Sequence, residues 1–325
     1  MDKKTQEDFK NLQSIFKSAH SKKHECLLCS DNAINSHVLQ KNGILNLISS
    51  NNHVIQIKSK DFFSIDESGL LDIKSVGINS AMSYPLFCNF HDTHVFAPIE
   101  KEELNLNLYI SQLLFSYRAL CAEMRKKIIN VDIFHRVKDS SHFAFRGPLL
   151  EMAKMQIEAN TMGINDMDWF KTEFEKAIID PENNKNYVFE KMEFDFIPVS
   201  VSAVYSPINP EVHKLEVLMN SANILNYIFI NLIPQNNKLT LIIGYHKLKK
   251  DEWIMNYITS WKNINQKEFE IKLNDLLATK IETWCISPEY FLTLNTKNID
   301  LFKKYWNDNA MNLKITQAID FNIFE

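Results

Sequence analysis

Apolar positions recur at helical spacing from the start of the chain, where Phe9, Leu12, Ile15, Phe16 and Ala19 share one face of residues 5–19. A short amphipathic helix is expected there. Residues 31–37 carry one apolar stripe, and Leu39 to Ile48 again has helical spacing. The period then changes to two: His53-Val-Ile-Gln-Ile57, Leu70-Leu-Asp-Ile73 and Val76-Gly-Ile78 read as short strands joined by turns such as Ser68-Gly69. From Glu102 to about Val131 runs the longest helical pattern, with Leu104, Leu108, Leu113, Leu114, Tyr117, Leu120, Cys121, Met124 and Ile128 near its apolar face.

Gly147-Pro148 predicts a break. Leu149 to Thr161 then resumes as a helix expected to stop near Gly163, and Asp166 to Ile179 is read as another, stopped by Asp180-Pro181. Phe194 to Tyr205 alternates as a strand. Tyr227–Ile233 and Leu239–Tyr245 flank Pro234-Gln-Asn-Asn237 and predict a β-hairpin, with β-branched runs long enough for central strands. Asp251–Trp261, Gln266–Ile281, Pro288–Leu294 and Asp300–Trp306 read as helices, with Ser287-Pro288-Glu289 and Asn298 as starts.

Composition narrows the function classes. At 325 residues the chain exceeds the usual limit of a single core, so more than one core is expected. It is 45% hydrophobic and 23% charged without low-complexity tracts, so it should fold throughout. The N-terminus has no apolar leader and no apolar run has the length of a membrane span, which predicts a cytoplasmic protein without membrane contact. Its six glycines include no pair at G-x-G spacing, which excludes a Walker loop and a dinucleotide fingerprint. With a net charge of −4 there is no global basic field, so any contact with DNA or RNA would need a local patch.

Such a patch has a candidate. The four arginines, Arg118, Arg125, Arg136 and Arg146, all lie between residues 118 and 146, and Arg118 and Arg125 are seven apart on one helical face. With Lys126 and Lys127 they are candidate nucleic-acid-binding residues, since guanidinium groups suit bidentate phosphate contacts. The alternative is that Arg118 pairs with an acidic partner across a domain junction while the others form a solvated face.

The odd cysteine count, five, is not a disulfide framework. Cys26-Leu-Leu-Cys29 holds two thiols on one knuckle, and Cys88-Asn-Phe-His91 places two further zinc-ligand types one helical turn apart. Cys26, Cys29, Cys88 and His91 are therefore the candidate structural zinc ligands. His94 lies on the same short helix and can exchange with His91 as the fourth. A knuckle, a β-rich insert and a helix donating the last two ligands follow the logic of a treble clef. Without metal, the same residues would be free thiols in a turn and ordinary core residues.

Cys26-x-x-Cys29, then Ser36-His37-Val-Leu, then Cys88-x-x-His91-Asp92-x-His94 resembles the zinc-braced HNH endonuclease module, the ββα-metal variant of the treble clef, over about residues 24–98. The resemblance implies a general base at His37 and a catalytic Mg²⁺ or Mn²⁺ held by Asp92 or His94, with Asn42 or Asn46 as the central asparagine. Ser36 stands where that family has a metal-binding aspartate, and Asp92 where it has a histidine. The expected function is a metal-dependent nuclease or nuclease-like effector, by analogy of bacterial anti-phage defence. The competing expectation is a zinc-stabilised binding module that docks onto nucleic acid or a partner protein without catalysis. A His246 with Cys285 or Ser287 nucleophile pair can also be drawn.

The expected fold is α+β: an N-terminal treble-clef zinc module with a β-rich insert over 1–101, a connecting helix and Arg-rich segment over 102–148, and an α+β domain with an antiparallel sheet over 149–325. Trp253, Trp261, Trp284 and Trp306 are expected in the helix packing of the last part.

Overall fold

The computed structural model describes residues 3–60, 70–140, 146–207, 224–309 and 319–325; the turn expected at Ser68-Gly69 lies outside them. In chain order the elements are α1 (Lys3–Ser21), β1 (Ile34–His37), a π-helical turn (Lys41–Leu45), β2 (His53–Ser59), β3 (Leu71–Gly77), β4 (Ser83–Phe87) and α2 (Asn89–Val95). A 3₁₀ turn (Ala97–Ile99) leads to α3 (Tyr109–Asp139) and α4 (Arg146–Ile179). Then come β5 (Tyr187–Asp195), β6 (Val199–Tyr205), β7 (Ile228–Gln235), β8 (Lys238–His246), α5 (Glu252–Thr259), α6 (Gln266–Thr279), β9 (Thr283–Ile286), α7 (Pro288–Thr293) and α8 (Thr296–Asn309). The fold is α+β, as expected, and among the described residues every strand pairing is antiparallel.

Continuous apolar runs in β7 and β8 reflect a sheet covered on both faces. Ile228, Ile230 and Leu232 point into one core with Leu273, Leu277 and Trp306 from α6 and α8. Phe229 and Ile233 point the other way, into a core shared with Leu113, Leu120, Phe170 and Phe174 of α3 and α4. The period of two in each strand thus feeds two cores, one on each side. The hairpin turns at Asn236 and Asn237, with φ of 52° and 56°, a left-handed pair that asparagine tolerates. Asp251 caps α5 by accepting from the Ile254 amide at 2.9 Å, and Asn265 with Glu268 forms a reciprocal capping box on α6.

The seven-stranded sheet has the order β3-β2-β9-β6-β7-β8-β5, and a separate two-stranded sheet pairs β1 with β4. The β2–β3 hairpin comes from the insert between the two halves of the cysteine–histidine motif. It nevertheless extends the large sheet through β9, with Ile55 opposite Ile286 and Ile57 opposite Trp284. The N-terminal part is thereby stitched into the same sheet as the C-terminal part. Its core is continuous with that of α3 and α4: Cys26, Leu39, Leu86, Cys88 and Phe96 belong to the cluster that contains Leu113, Phe170 and Phe229.

Several boundaries differ from the sequence expectation. The run Phe194–Tyr205 is two strands, because Pro198 has no N–H to continue a ladder. Residues 196–198 instead carry the chain across the end of the β7–β8 hairpin, from one sheet edge at β5 to β6. Helix α4 runs through Gly163, where a Cβ would lie 3.0 Å from the Lys127 side chain. The glycine lies against the Lys127 side chain of α3 and does not end the helix. Helix α3 starts at Tyr109 because Leu104 and Leu106 are buried from a turn that precedes it, held by Gln235 Nε2 donating to the Leu104 carbonyl at 2.7 Å and Gln112 Nε2 to that of Leu106 at 2.8 Å. It continues to Asp139, so His135, Arg136 and Lys138 are helical. Trp261, Trp284 and Trp306 are buried and Trp253 is exposed.

His246 and Cys285 do not form a nucleophile pair. Strands β8 and β9 are separated by β7 and β6, about 14 Å at the usual strand spacing. Cys285 is fully buried, and burial pushes its thiol up. His246 is buried among Trp169, Phe170 and Tyr187; its Nδ1 accepts from the Leu248 amide at 3.2 Å, which places the proton on Nε2, 3.6 Å from Glu173. Burial holds its pKa below the ordinary histidine value despite that carboxylate. The unfolded chain therefore takes up a proton near pH 6.5 that the folded chain refuses. The sign follows: stability present at neutral pH is lost as the pH falls below about 6.5, by up to about 1.4 kcal/mol per unit for this one group. His246→Gln is expected to flatten that slope in urea unfolding compared between pH of about 7 and about 5.

Candidate metal centre

The knuckle is built by backbone before any metal is considered. Glu25 and Asn32 form an isolated antiparallel bridge, the Cys26 amide donates to the Asp31 carbonyl at 2.7 Å, and the Leu27 amide donates to Leu86 of β4 at 2.9 Å. The Leu28 amide reaches the Cys26 sulfur at 3.4 Å. This turns both thiols toward β4. Strand β1 follows and pairs with β4, whose last residue, Phe87, delivers Cys88 to the N-cap of α2. The β1–β4 pair and the start of α2 thus lie beside the knuckle, with β2 and β3 as the insert between β1 and β4.

His91 follows Cys88 by three residues and so returns to the same helical face. Its Nδ1 lies 3.3 Å from Cys88 Sγ, 3.4 Å from Cys26 Sγ and 3.5 Å from Cys29 Sγ, while Cys29 Sγ and Cys88 Sγ are 3.8 Å apart. Zinc–sulfur bonds of about 2.3 Å and zinc–nitrogen bonds of about 2.0–2.1 Å at tetrahedral angles put a sulfur pair about 3.8 Å apart and a sulfur–nitrogen pair about 3.6 Å apart. The measured edges match that tetrahedron. All four ligand atoms lie within 4.8 Å of one another, so the Cys₃His set can hold a zinc ion.

The electrostatics fit a thiolate site. Cys88 caps the helix, and amides of its first turn, from His91 and Phe90, hold its thiol below the ordinary value. An amide at Asp31 acts in the same direction on Cys29, but burial and the Cys26 and Cys88 thiols beside it push that group up to about 11. Three thiols this close repel as thiolates unless a cation sits among them.

His94 is not part of the cluster. Six residues beyond Cys88, it is turned away on an exposed face, where its Nδ1 lies 2.9 Å from the Phe90 carbonyl and its ring stacks on Phe90 at 4.2 Å. Asp92 faces the buried Arg118 at 3.5 Å. His37 ends β1, and its Nε2 donates to the Ile78 carbonyl at 2.8 Å; burial lowers its pKa against that hydrogen bond. Among the described residues, His37, Asp92 and His94 do not gather as a second metal-ligand group. Ser36 is fully buried opposite Tyr84, and Asn42 and Asn46 are exposed.

Arg118 and Arg125 do not lie on a solvent-exposed face. Arg118 is 2% exposed, bonded to Glu100 at 2.6 Å and stacked on Phe96 at 4.2 Å. Arg125 is also buried, and its guanidinium donates to the Glu25 carbonyl beside the knuckle. Lys126 pairs with Glu123 at 2.5 Å and Glu282 at 2.6 Å, and Lys127 with Glu123 at 3.4 Å. Arg136 meets Ser18 and Asp132, while Arg146 opens α4. The physical reason is the environment of α3: from Leu113 to Met124 it is apolar almost all round, so a cation inside that stretch must be buried and paired. For Arg118 this is the alternative the sequence offered, an acidic partner across a junction, here Glu100 and Asp92; the contact of Arg125 with the knuckle carbonyl is the one sequence reasoning missed.

Comparison with protein families, curated proteins and solved structures finds no match to this chain. Among the described residues no helix is long and apolar enough to cross a membrane.

Proposed function

We propose that this chain is a zinc-stabilised binding module that docks onto a partner protein without catalysis. The observation that carries the reading is the commitment of the side chains a nuclease would need: Asp92 is turned to Arg118, and His94 is turned onto Phe90 and its own helix. The zinc tetrahedron is the part of the motif that geometry completes, and two of its sulfurs sit in the main core. A protein partner is favoured over nucleic acid because Arg118, Arg125, Lys126 and Lys127 are spent on internal contacts. The module instead exposes large apolar side chains: Phe90 is 59% exposed, with Leu47 and Ile34 also in solvent.

One observation favours the nuclease reading. His37 is neutral by burial, and the carbonyl of Ile78 fixes its ring so that Nδ1 is the free acceptor, the state a general base needs. The two readings give opposite results in a cleavage assay of plasmid DNA and RNA with Mg²⁺ or Mn²⁺. The binding module predicts no cleavage by the parent protein and no salt-sensitive oligonucleotide binding. It also predicts a partner captured from cells of the source organism by the parent and lost on Phe90→Asp. Cleavage abolished by His37→Ala would replace this reading with the nuclease.

A further inference from the structure

Between the zinc module and the large sheet lies a cavity of about 90 Å³. The module contributes Val38, Met82 and Tyr84; α3 contributes Ala119, Ala122, Glu123 and Lys126. The opposite wall is β6, from Ser202 to Val204, and the approach to β9, with Lys280, Glu282 and Thr283. At about 15 Å³ for each water-sized position, the space takes a molecule of about six non-hydrogen atoms. It is apolar on one side and charged on the other.

The charged side is balanced. Glu123 and Glu282 share Lys126 between them, and Lys280 is tied to Asp275 and, at 2.7 Å, to Thr279 Oγ1. The Lys280 side chain is only 3% exposed, yet it lines the cavity. Among the described residues its ammonium and that of Lys126 each meet two acceptors, and an ammonium has three donors, so each retains one. Burial opposes the charge on Glu123, but Lys126 and Lys127 hold its carboxyl down to about 2; burial lowers the pKa of Lys280, with Asp275 acting against it. Cations and anions side by side in a half-enclosed space suit a ligand that also carries both signs and adds no net charge.

We propose that this cavity binds a small zwitterion of the α-amino-acid class, its carboxylate toward Lys280, its ammonium toward Glu123 and Glu282, and its short side chain against Val38, Met82 and Val204. The site is independent of the docking role, because none of its residues belongs to the zinc cluster or to the exposed apolar face. Since its walls come from the module, α3 and the sheet, occupancy would also stiffen the junction between them.

The test is calorimetric and NMR titration of the full zinc-loaded chain with L-alanine, propionate and propylamine. Saturable binding of L-alanine is expected, at least about tenfold tighter than either singly charged analogue, a ratio within reach of one desolvated ion pair. Ala122→Leu, which fills the space, and Lys280→Met should each remove it. Glu282→Gln, at a side chain that is 64% exposed, should weaken the preference for L-alanine over propionate, Glu123 retaining part of it. Absence of saturable L-alanine binding to the parent overturns the proposal. So does equal binding of propionate, or binding by the parent that survives in both a folded Ala122→Leu and a folded Glu282→Gln protein.

Discussion

Purified protein is expected to carry one zinc per chain, and Cys26→Ser is expected to reduce that to near zero while lowering the thermal midpoint by at least about 10 °C. Loss of a structural metal is among the few single-site changes that exceed about 4–5 kcal/mol. Here the reason is geometric. The cluster joins the knuckle at residues 26–29 to the N-terminus of α2, two segments about sixty residues apart in sequence. Without the ion, three thiols and an imidazole face one another, and the α2 end loses its anchor. Elemental analysis gives the stoichiometry, and differential scanning calorimetry with and without chelator gives the shift. Cys121→Ala is the control: Cys121 is buried on α3 outside the cluster, so metal content should not change. A parent protein without zinc and with no response to chelator would remove the metal centre altogether.

The disruption should spread beyond the module. Cys26 and Cys88 belong to the same core as Leu113, Phe170 and Phe229, and β2 is hydrogen-bonded to β9. A module that hung from a linker would melt separately, as its own transition. This one shares strands and core with the rest, so metal loss should lower the main transition. That difference separates an integrated zinc brace from an appended zinc finger.

The ligand set was legible because zinc chemistry constrains residue type and spacing together. A C-x-x-C knuckle and a pair one helical turn apart leave few alternatives; the sequence left His91 and His94 open as the fourth, and the structure places His91 in the cluster. Central strands were legible for a similar reason: runs such as Ile228–Ile233 have to be covered on both faces. The arginine cluster left two readings open, a phosphate patch or an internal pairing of Arg118, because residue type alone does not say what surrounds a side chain. Arg118 sits five residues after Leu113 and six before Met124, inside a stretch with no polar face, and that pattern already implied burial. Gly163 and Pro198 show the complementary failure. Both were read locally, as a stop and as part of a strand, but their roles depend on Lys127 and on the crossing to β6, which lie far away in sequence.

Arg118→Met is expected to cost about 3 kcal/mol in urea unfolding, the lower end for breaking a buried pair because Glu100 is partly solvent-screened. The arginine fills space that methionine can largely occupy, so the loss comes mainly from Asp92, whose Oδ1 is buried without a hydrogen bond and depends on the guanidinium 3.5 Å away. If so, Asp92→Asn in the Arg118→Met background should recover part of the loss, whereas the same change alone should be destabilising. This double-mutant cycle reports a coupling between α3 and α2 with no nucleic acid present. A nucleic-acid contact predicts the reverse: little change in unfolding, and loss of salt-dependent binding on Arg118→Met. Arg118→Lys should not rescue, since an ammonium cannot lie flat on Phe96 at 4.2 Å while also reaching Glu100. The arginine that looked like a ligand for phosphate would then be the bolt that holds the zinc helix to the central one.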